Sequence, residues 1–113
     1  MTDPINPQKA AEALWKAAPE HAKAKGERVY LEQFRKSKKA LLMKQAGVDG
    51  VKTAAAQEVE AYSHPDYIAL LEALRDATER EELARWRMVS AQAAIEIWRS
   101  QEFSNRAVDK AMR

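Results

Sequence analysis

Histidines and carboxylates are the residues of this chain best suited to acid–base or metal chemistry, and their spacing forms no such site. The two histidines, His21 and His64, have no helical i,i+4 partner and no zinc-protease spacing. Glu79, Glu81 and Glu82 cluster, but arginines alternate with them, which is typical of a salt-bridged, solvated helix surface. The 113 residues include no cysteine, glycine-rich phosphate loop or nucleophile motif. We therefore predict that the protein is not an enzyme and needs no metal or other cofactor.

Lysines and arginines cluster in one segment that has the composition of a phosphate-binding helix. Segment 23–44 holds eight basic and two acidic residues, whereas segment 58–82 holds two basic and eight acidic residues. A line of cations on one helix can follow a nucleic-acid backbone. The candidate contacts are Arg28, Arg35, Lys36, Lys38 and Lys39. The sequence leaves open the alternative that the acidic segment packs beside the basic one and neutralises it.

The C-terminal tail holds a second set of basic residues, interleaved with aromatic ones. Arginines flank Trp86 on both sides, Arg99 follows Trp98, and Arg106 comes seven residues later. Aromatic rings combined with arginines can hold single-stranded nucleic acid. Arg99 and Arg106 are therefore further candidate contacts, although Trp86 and Trp98 stand at spacings that core packing also explains.

Turn and cap signals divide the chain into helices. Abundant alanine with only three glycines and four prolines predicts an all-α protein. A first helix should start at Asn6-Pro7 and be interrupted at Ala18-Pro19, because the residue before proline avoids the α region. We predict a variable N-terminal helical arm, residues 1–26, and a helical domain, residues 27–113. That domain should hold a basic helix over about 27–46, closed by Gly47, a short helix over about 53–62, and a long helix over about 64–110.

The long helix has the clearest start signal. Ser63-His64-Pro65-Asp66 resembles a capping box, in which the Ser63 hydroxyl accepts the N–H of Asp66. Neither glycine nor proline follows Pro65, so one helix of about 70 Å is expected at about 1.5 Å per residue. The predicted architecture is a coiled-coil-like helical hairpin or small bundle dominated by this helix.

Two apolar stripes run along the long helix. The first repeats in sevens with alanine at alternate positions, and Glu81 interrupts it; its members are Tyr67, Leu70, Leu74, Ala77, Ala84, Met88, Ala91, Ile95 and Trp98. The second is confined to the second half of the helix; its members are Leu83, Trp86, Ser90, Ala93 or Ala94, and Ile97. A helix that is apolar on two sides is usually covered on both.

The second stripe predicts a homodimer, with Leu83, Trp86, Ala93 and Ile97 as interface residues. A basic helix of about 40 Å is too short to cover one of about 70 Å, which favours a second copy as the cover. A larger intramolecular core is the alternative.

The tail also resembles a known group of proteins. The strings Tyr62–Tyr67, Arg85–Glu102 and Ser104–Arg106 are similar to those of uncharacterised small helical proteins encoded by tailed phages and prophages of proteobacteria. The resemblance covers roughly residues 27–113. It implies a setting among phage genes for recombination and replication, and it identifies no catalytic residue.

Two functional hypotheses follow. The first is a non-enzymatic phage accessory protein that binds DNA, especially single-stranded DNA, or assists recombination or replication. The alternative is an adaptor or inhibitor that docks on a host DNA-processing or defence protein. The chain has no apolar run near the ~18 residues of a membrane span and no signal-peptide pattern, which predicts a cytoplasmic protein of the host cell without membrane contact.

Overall fold

The computed structural model describes residues 4–112, and these form three helices. Helix α1 spans Pro7–Val48, α2 spans Ala54–Ser63 and α3 spans Pro65–Ala111. No strand occurs in the described part of the chain. The predicted all-α hairpin with a long C-terminal helix is confirmed, since α3 has 47 residues.

Helix α1 is continuous over 42 residues, so the predicted interruption at Ala18-Pro19 is wrong. Pro19 lies inside the helix, although a proline there cannot donate a backbone hydrogen bond. Ala17 and Ala24 are both buried, and such packing stabilises a helix beyond its local propensity. The predicted arm is thus, where it is described, the beginning of a longer helix. The argument that the partner of α3 is too short to cover it is also wrong.

A glycine turn closes α1 three residues later than predicted. Gly50 has φ 104° and is the left-handed residue of a Schellman motif. The N–H of Val51 donates to the Ala46 carbonyl at 2.9 Å, and that of Gly50 to the Gly47 carbonyl at 3.2 Å. Gly47 itself is helical and allows close approach, because a Cβ there would lie 3.1 Å from Nε2 of Gln57.

His64 joins α2 to α3 and caps the long helix. Its Nδ1 accepts the N–H of Asp66 at 3.0 Å. The predicted capping box is wrong, because Ser63 is the last residue of α2 and its hydroxyl donates to the Val59 carbonyl at 2.8 Å. At the other end of α2, Thr53 is the cap and accepts the N–H of Ala56 at 3.1 Å.

The described chain folds into two compact units. Unit 1 holds the residues up to Ala22 and those from Glu82 onward, and pairs the first part of α1 with the second part of α3. Unit 2 is Lys23–Glu81, and packs the rest of α1 with α2 and the first part of α3. Its core contains Leu42, Ala61 and Tyr67, with Met43 packed against them.

Candidate binding surfaces

The basic helix of unit 2 is partly neutralised by its own chain. Arg28 donates through Nη2 to Glu81 Oε1 at 3.1 Å and through Nη1 to Glu32 Oε1 at 3.0 Å. These hydrogen bonds, first to Glu81 and then to Glu32, raise the pKa of Arg28. Its side chain is 25 % exposed. Arg28 is therefore held by two carboxylates.

Lys39 is held in a similar way at the contact between α1 and α2. Its Nζ donates to Glu58 Oε1 at 2.8 Å and lies 4.7 Å from the centre of the Tyr62 ring. The hydrogen bond to Glu58 raises the pKa of Lys39, and in return lowers the pKa of Glu58. Nζ of Lys38 lies 3.7 Å from Oδ2 of Asp66 at the start of α3. Intramolecular neutralisation thus accounts for Lys38 and Lys39 as well as for Arg28.

The other four of the seven predicted nucleic-acid contacts have exposed side chains. Arg35 and Lys36 are exposed on α1, and neither forms an ion pair within residues 4–112. Arg99 pairs with Glu96 at 3.2 Å on the surface of α3. Arg106 is exposed near the end of that helix. The seven residues are therefore divided between the two units, and Arg35 with Lys36 is the adjacent pair whose charges remain open to solvent.

The fully buried residues of unit 1 are alanines, with Leu14, Met88, Ile95 and Trp98 partly buried. Among its described residues, the buried ones are Ala17 on α1 and Ala84 and Ala91 on α3. Small side chains permit two helices to approach closely, but each buries little apolar surface. The first stripe of α3 faces inward in both units, since Tyr67, Leu70 and Ala77 are likewise buried in unit 2.

The second stripe lies on the surface of unit 1. Trp86 is 58 % exposed, Leu83 53 % and Ile97 50 %, and Ala93 is exposed beside them. The guanidinium of Arg85 lies 4.6 Å from the centre of the Trp86 ring. In the single chain these residues are therefore not part of a larger intramolecular core, which was the alternative to a dimer interface.

A groove of about 730 Å³ runs beside this stripe, between the two helices of unit 1. Small residues form much of its wall: Ala10, Ala13, Ala17, Ser90, Ala91 and Ala94. Leu83 and Trp86 stand on its α3 side, and charged residues line it as well: Lys9, Lys16, Glu20 and Arg87. Nη1 of Arg87 lies 3.6 Å from Oε2 of Glu20, so these two charges neutralise each other. Lys9 and Lys16 then supply the net positive charge of the groove. We call the groove together with Leu83, Trp86, Ala93 and Ile97 the apolar face.

The α1 side of this groove was not predicted from the sequence. Ala10, Ala17 and Ala24 recur every seven residues, as do Ala77, Ala84 and Ala91 on α3. Matching alanine repeats on two helices indicate close antiparallel packing. The assumed interruption at Pro19 concealed the first repeat.

The structure and the comparisons add three further findings. Within the described residues no group of three or more His, Asp or Glu side chains is placed to hold a metal ion. No helix there is long and apolar enough to cross a membrane. Neither a protein family, a curated protein nor a solved structure matches the chain.

Proposed function

We propose that the protein is a non-enzymatic association module whose apolar face binds an apolar surface of another protein chain. One observation carries the proposal: the fully buried residues of unit 1 are alanines, Leu14, Met88, Ile95 and Trp98 are only partly buried, and the large side chains of the second stripe are exposed. Leu83, Trp86 and Ile97 are each at least half exposed, whereas Ala17, Ala84 and Ala91 are its buried residues among those described.

The energetics of burial support a partner for unit 1. Covering one large apolar side chain contributes about 1.5–3 kcal/mol, and an alanine methyl contributes far less. Two helices that fully bury only alanines and cover their larger apolar side chains in part are less stabilised than a pair with a complete core, because most helix stability in proteins comes from tertiary packing. The core of unit 2 differs, since the large side chains of Leu42 and Tyr67 are buried among its three helices. Unit 1 therefore gains most from an external cover.

The form of the apolar face fits protein recognition by helix packing. A hollow lined largely by small residues lies next to the exposed side chains of Leu83 and Trp86, and charged residues line it as well. Protein interfaces combine apolar and charged contacts, and tryptophan is a frequent anchor in them. A hollow between two helices accepts the ridge of a third.

Photo-crosslinking in cells that produce the protein tests this function. A photoreactive side chain at position 86 should form adducts with one defined protein chain, which mass spectrometry then identifies. The matched control is position 59, because Val59 is 67 % exposed on α2 in unit 2. Adding Leu83→Glu should abolish the adduct at 86. Equal adduct yields at positions 86 and 59 would refute the proposal.

DNA binding is a second candidate, and the exposure of Arg35 and Lys36 favours it. Two adjacent cations without an ion pair in the described chain are available to phosphates, and the resemblance to phage proteins agrees with this role. The candidate is weakened by the ion pairs of Arg28, Lys38 and Lys39. It therefore rests on a smaller set of residues than the sequence suggested.

Binding to single- and double-stranded DNA at low and moderate salt tests this second candidate. Affinity should fall steeply with salt, and the double change Arg35→Glu with Lys36→Glu should abolish it. Lys52→Glu is the matched control, since Lys52 is an exposed cation in the loop before α2. Absence of salt-sensitive binding to either form of DNA would exclude the candidate.

A further inference from the structure

We infer that the apolar face binds the same face of a second copy of the chain, so that four helical segments enclose one core. The inference rests on the proposed function and names its partner. Its basis is that the face complements itself in both form and charge.

Complementarity of form comes from bulky and small residues standing side by side. Leu83 and Trp86 protrude, and Ala10, Ala13, Ser90 and Ala94 line the adjacent hollow. In a two-fold symmetric interface, each contact of one residue with another occurs twice. Two facing copies therefore place Leu83 and Trp86 of each chain in the hollow of the other. No other protein needs to be assumed, and a second copy is present wherever the chain is made.

Complementarity of charge comes from the two margins of the apolar face. Lys9 and Lys16 line its α1 margin. Glu82 precedes Trp86 by four residues and Glu96 follows Ala93 by three, so both lie beside the stripe on α3. Their side chains are 53 % and 68 % exposed, and each already pairs with an arginine of its own helix: Glu82 with Arg85 at 2.7 Å and Glu96 with Arg99 at 3.2 Å. A lysine of a second copy would join these pairs. Opposite charges meet when α1 of one copy lies against α3 of the other, whereas α1 against α1 would bring lysines together.

Two tryptophans of unit 1 give a matched test by light scattering and sedimentation equilibrium. Purified protein should have twice the chain mass of 12.8 kDa. Trp86→Ala should raise the dissociation constant at least about tenfold, because a tryptophan anchor contributes more than most interface residues. Trp15→Ala should leave it unchanged, since Trp15 is 69 % exposed and is not among the residues that line the groove. Helix content by circular dichroism must be the same in all three proteins.

Charge reversal tests the arrangement of helices. Changing Lys9 and Lys16 to glutamate should weaken the dimer, and also changing Glu82 and Glu96 to lysine should restore it. Failure of the combined variant to regain affinity would overturn the placement of α1 against the partner's α3.

A label at Ser100 gives a second measurement that leaves the residues of the apolar face unchanged. Ser100 is exposed three residues after Ile97, and the chain has no cysteine, so Ser100→Cys provides one attachment site per copy. Spin labels there should lie within about 30 Å of each other, since packed helices are about 8–10 Å apart. The same label at Val59→Cys should give a longer or unresolved distance. The reverse order of these distances would overturn the inference.

Hydrogen exchange separates failure of the inference from failure of the proposed function. A dimer whose affinity ignores Trp86→Ala would show that the chain associates by another surface, and the inference would be wrong. A monomer whose amides in unit 1 exchange fast would also overturn the inference, but would support the need for a different partner. A monomer with a well-protected unit 1 would overturn both, because the face would then need no cover. Association that weakens with salt and requires added nucleic acid would likewise exclude a dimer held by apolar contacts.

Discussion

Glu81 accepts two hydrogen bonds from the guanidinium of Arg28, which ties α3 to α1 inside unit 2. Glu81 stands in the first apolar stripe, where the heptad pattern calls for an apolar residue. Its side chain is 15 % exposed and that of Arg28 is 25 % exposed. Glu81 therefore interrupts the stripe with a polar contact between the two long helices. Its partner in that contact, Arg28, is one of the residues predicted from the sequence to bind phosphate.

Removing one member of this pair should cost more than replacing both. Glu81→Gln leaves a half-covered arginine with one fewer carboxylate, so the thermal midpoint should fall. Arg28→Met with Glu81→Leu exchanges the pair for an apolar contact, and such exchanges are often neutral or stabilising. Thermal unfolding followed by circular dichroism measures both variants. A double variant less stable than Glu81→Gln would contradict this account.

Two glycines, Gly26 inside α1 and Gly50 in the turn that follows it, should respond in opposite directions to alanine. Gly26→Ala should stabilise the protein by about 0.5–1 kcal/mol, because Gly26 is helical and nothing lies within 4 Å of an added Cβ. Gly50→Ala should destabilise it by about 1–2 kcal/mol, since Gly50 has φ 104°. Denaturation in urea gives both free energies of unfolding. Similar effects at both positions would show that the turn does not require its glycine.

The start of α3 should depend on His64 and not on Ser63. His64→Ala removes the acceptor for the Asp66 N–H and should cost about 0.5–2 kcal/mol, while His64→Asn should retain most of the stability. Ser63→Ala should have little effect, because its hydroxyl bonds to carbonyls within α2. The free energy of unfolding of each variant decides between the observed cap and the capping box that the sequence suggested.

The Lys39–Glu58 pair should make stability fall in acid. The hydrogen bond from Lys39 lowers the pKa of Glu58, so the folded state gains stability above the ordinary glutamate value of 4.5 and loses it as the pH falls through the lowered value. The pKa of Lys39 is raised, so its contribution persists at neutral pH and is lost only above its ordinary value of 10.5. Thermal midpoints of the wild type and Glu58→Gln should differ at pH 7 and converge in acid.

Glu60→Gln is the control for this comparison. Glu60 lies on the same short helix and is exposed, without an ion pair in the described chain. Its substitution should leave the dependence of the thermal midpoint on pH unchanged. An equal change in both variants would show that the effect comes from net charge and not from Lys39.

Repeating patterns made much of this fold predictable. The inward stripe of α3 follows from the seven-residue spacing of Leu70, Ala77, Ala84 and Ala91, because spacing alone fixes the buried side of a helix. Exposure of the second stripe at Leu83 and Trp86 follows in the same way, once α1 is found to cover the other side. The proposed partner of that stripe is a separate matter and stays a prediction.

Features that depend on tertiary contacts could not be predicted in this way. Pro19 is a local stop signal, and packing of the helix around Ala17 and Ala24 overrides it. The pairing of Arg28 with Glu81 joins residues 53 positions apart, and charge composition indicates only that some such pairing will occur. His64 as a cap was missed because serine is the commoner acceptor at such a position.

The alanine interior of unit 1 has a calorimetric consequence. Globular proteins typically show an unfolding heat capacity of about 12–15 cal/mol/K per residue, most of which comes from exposing apolar surface to water. In a monomer, unit 1 fully buries only Ala17, Ala84 and Ala91 among its described residues, and Leu83, Trp86 and Ile97 are already hydrated, so its unfolding exposes less new apolar surface than that of a unit with a complete core. The heat capacity change of the monomer should therefore fall short of the value expected for 113 residues. Burial of the apolar face against a partner would bring that change back towards the usual value.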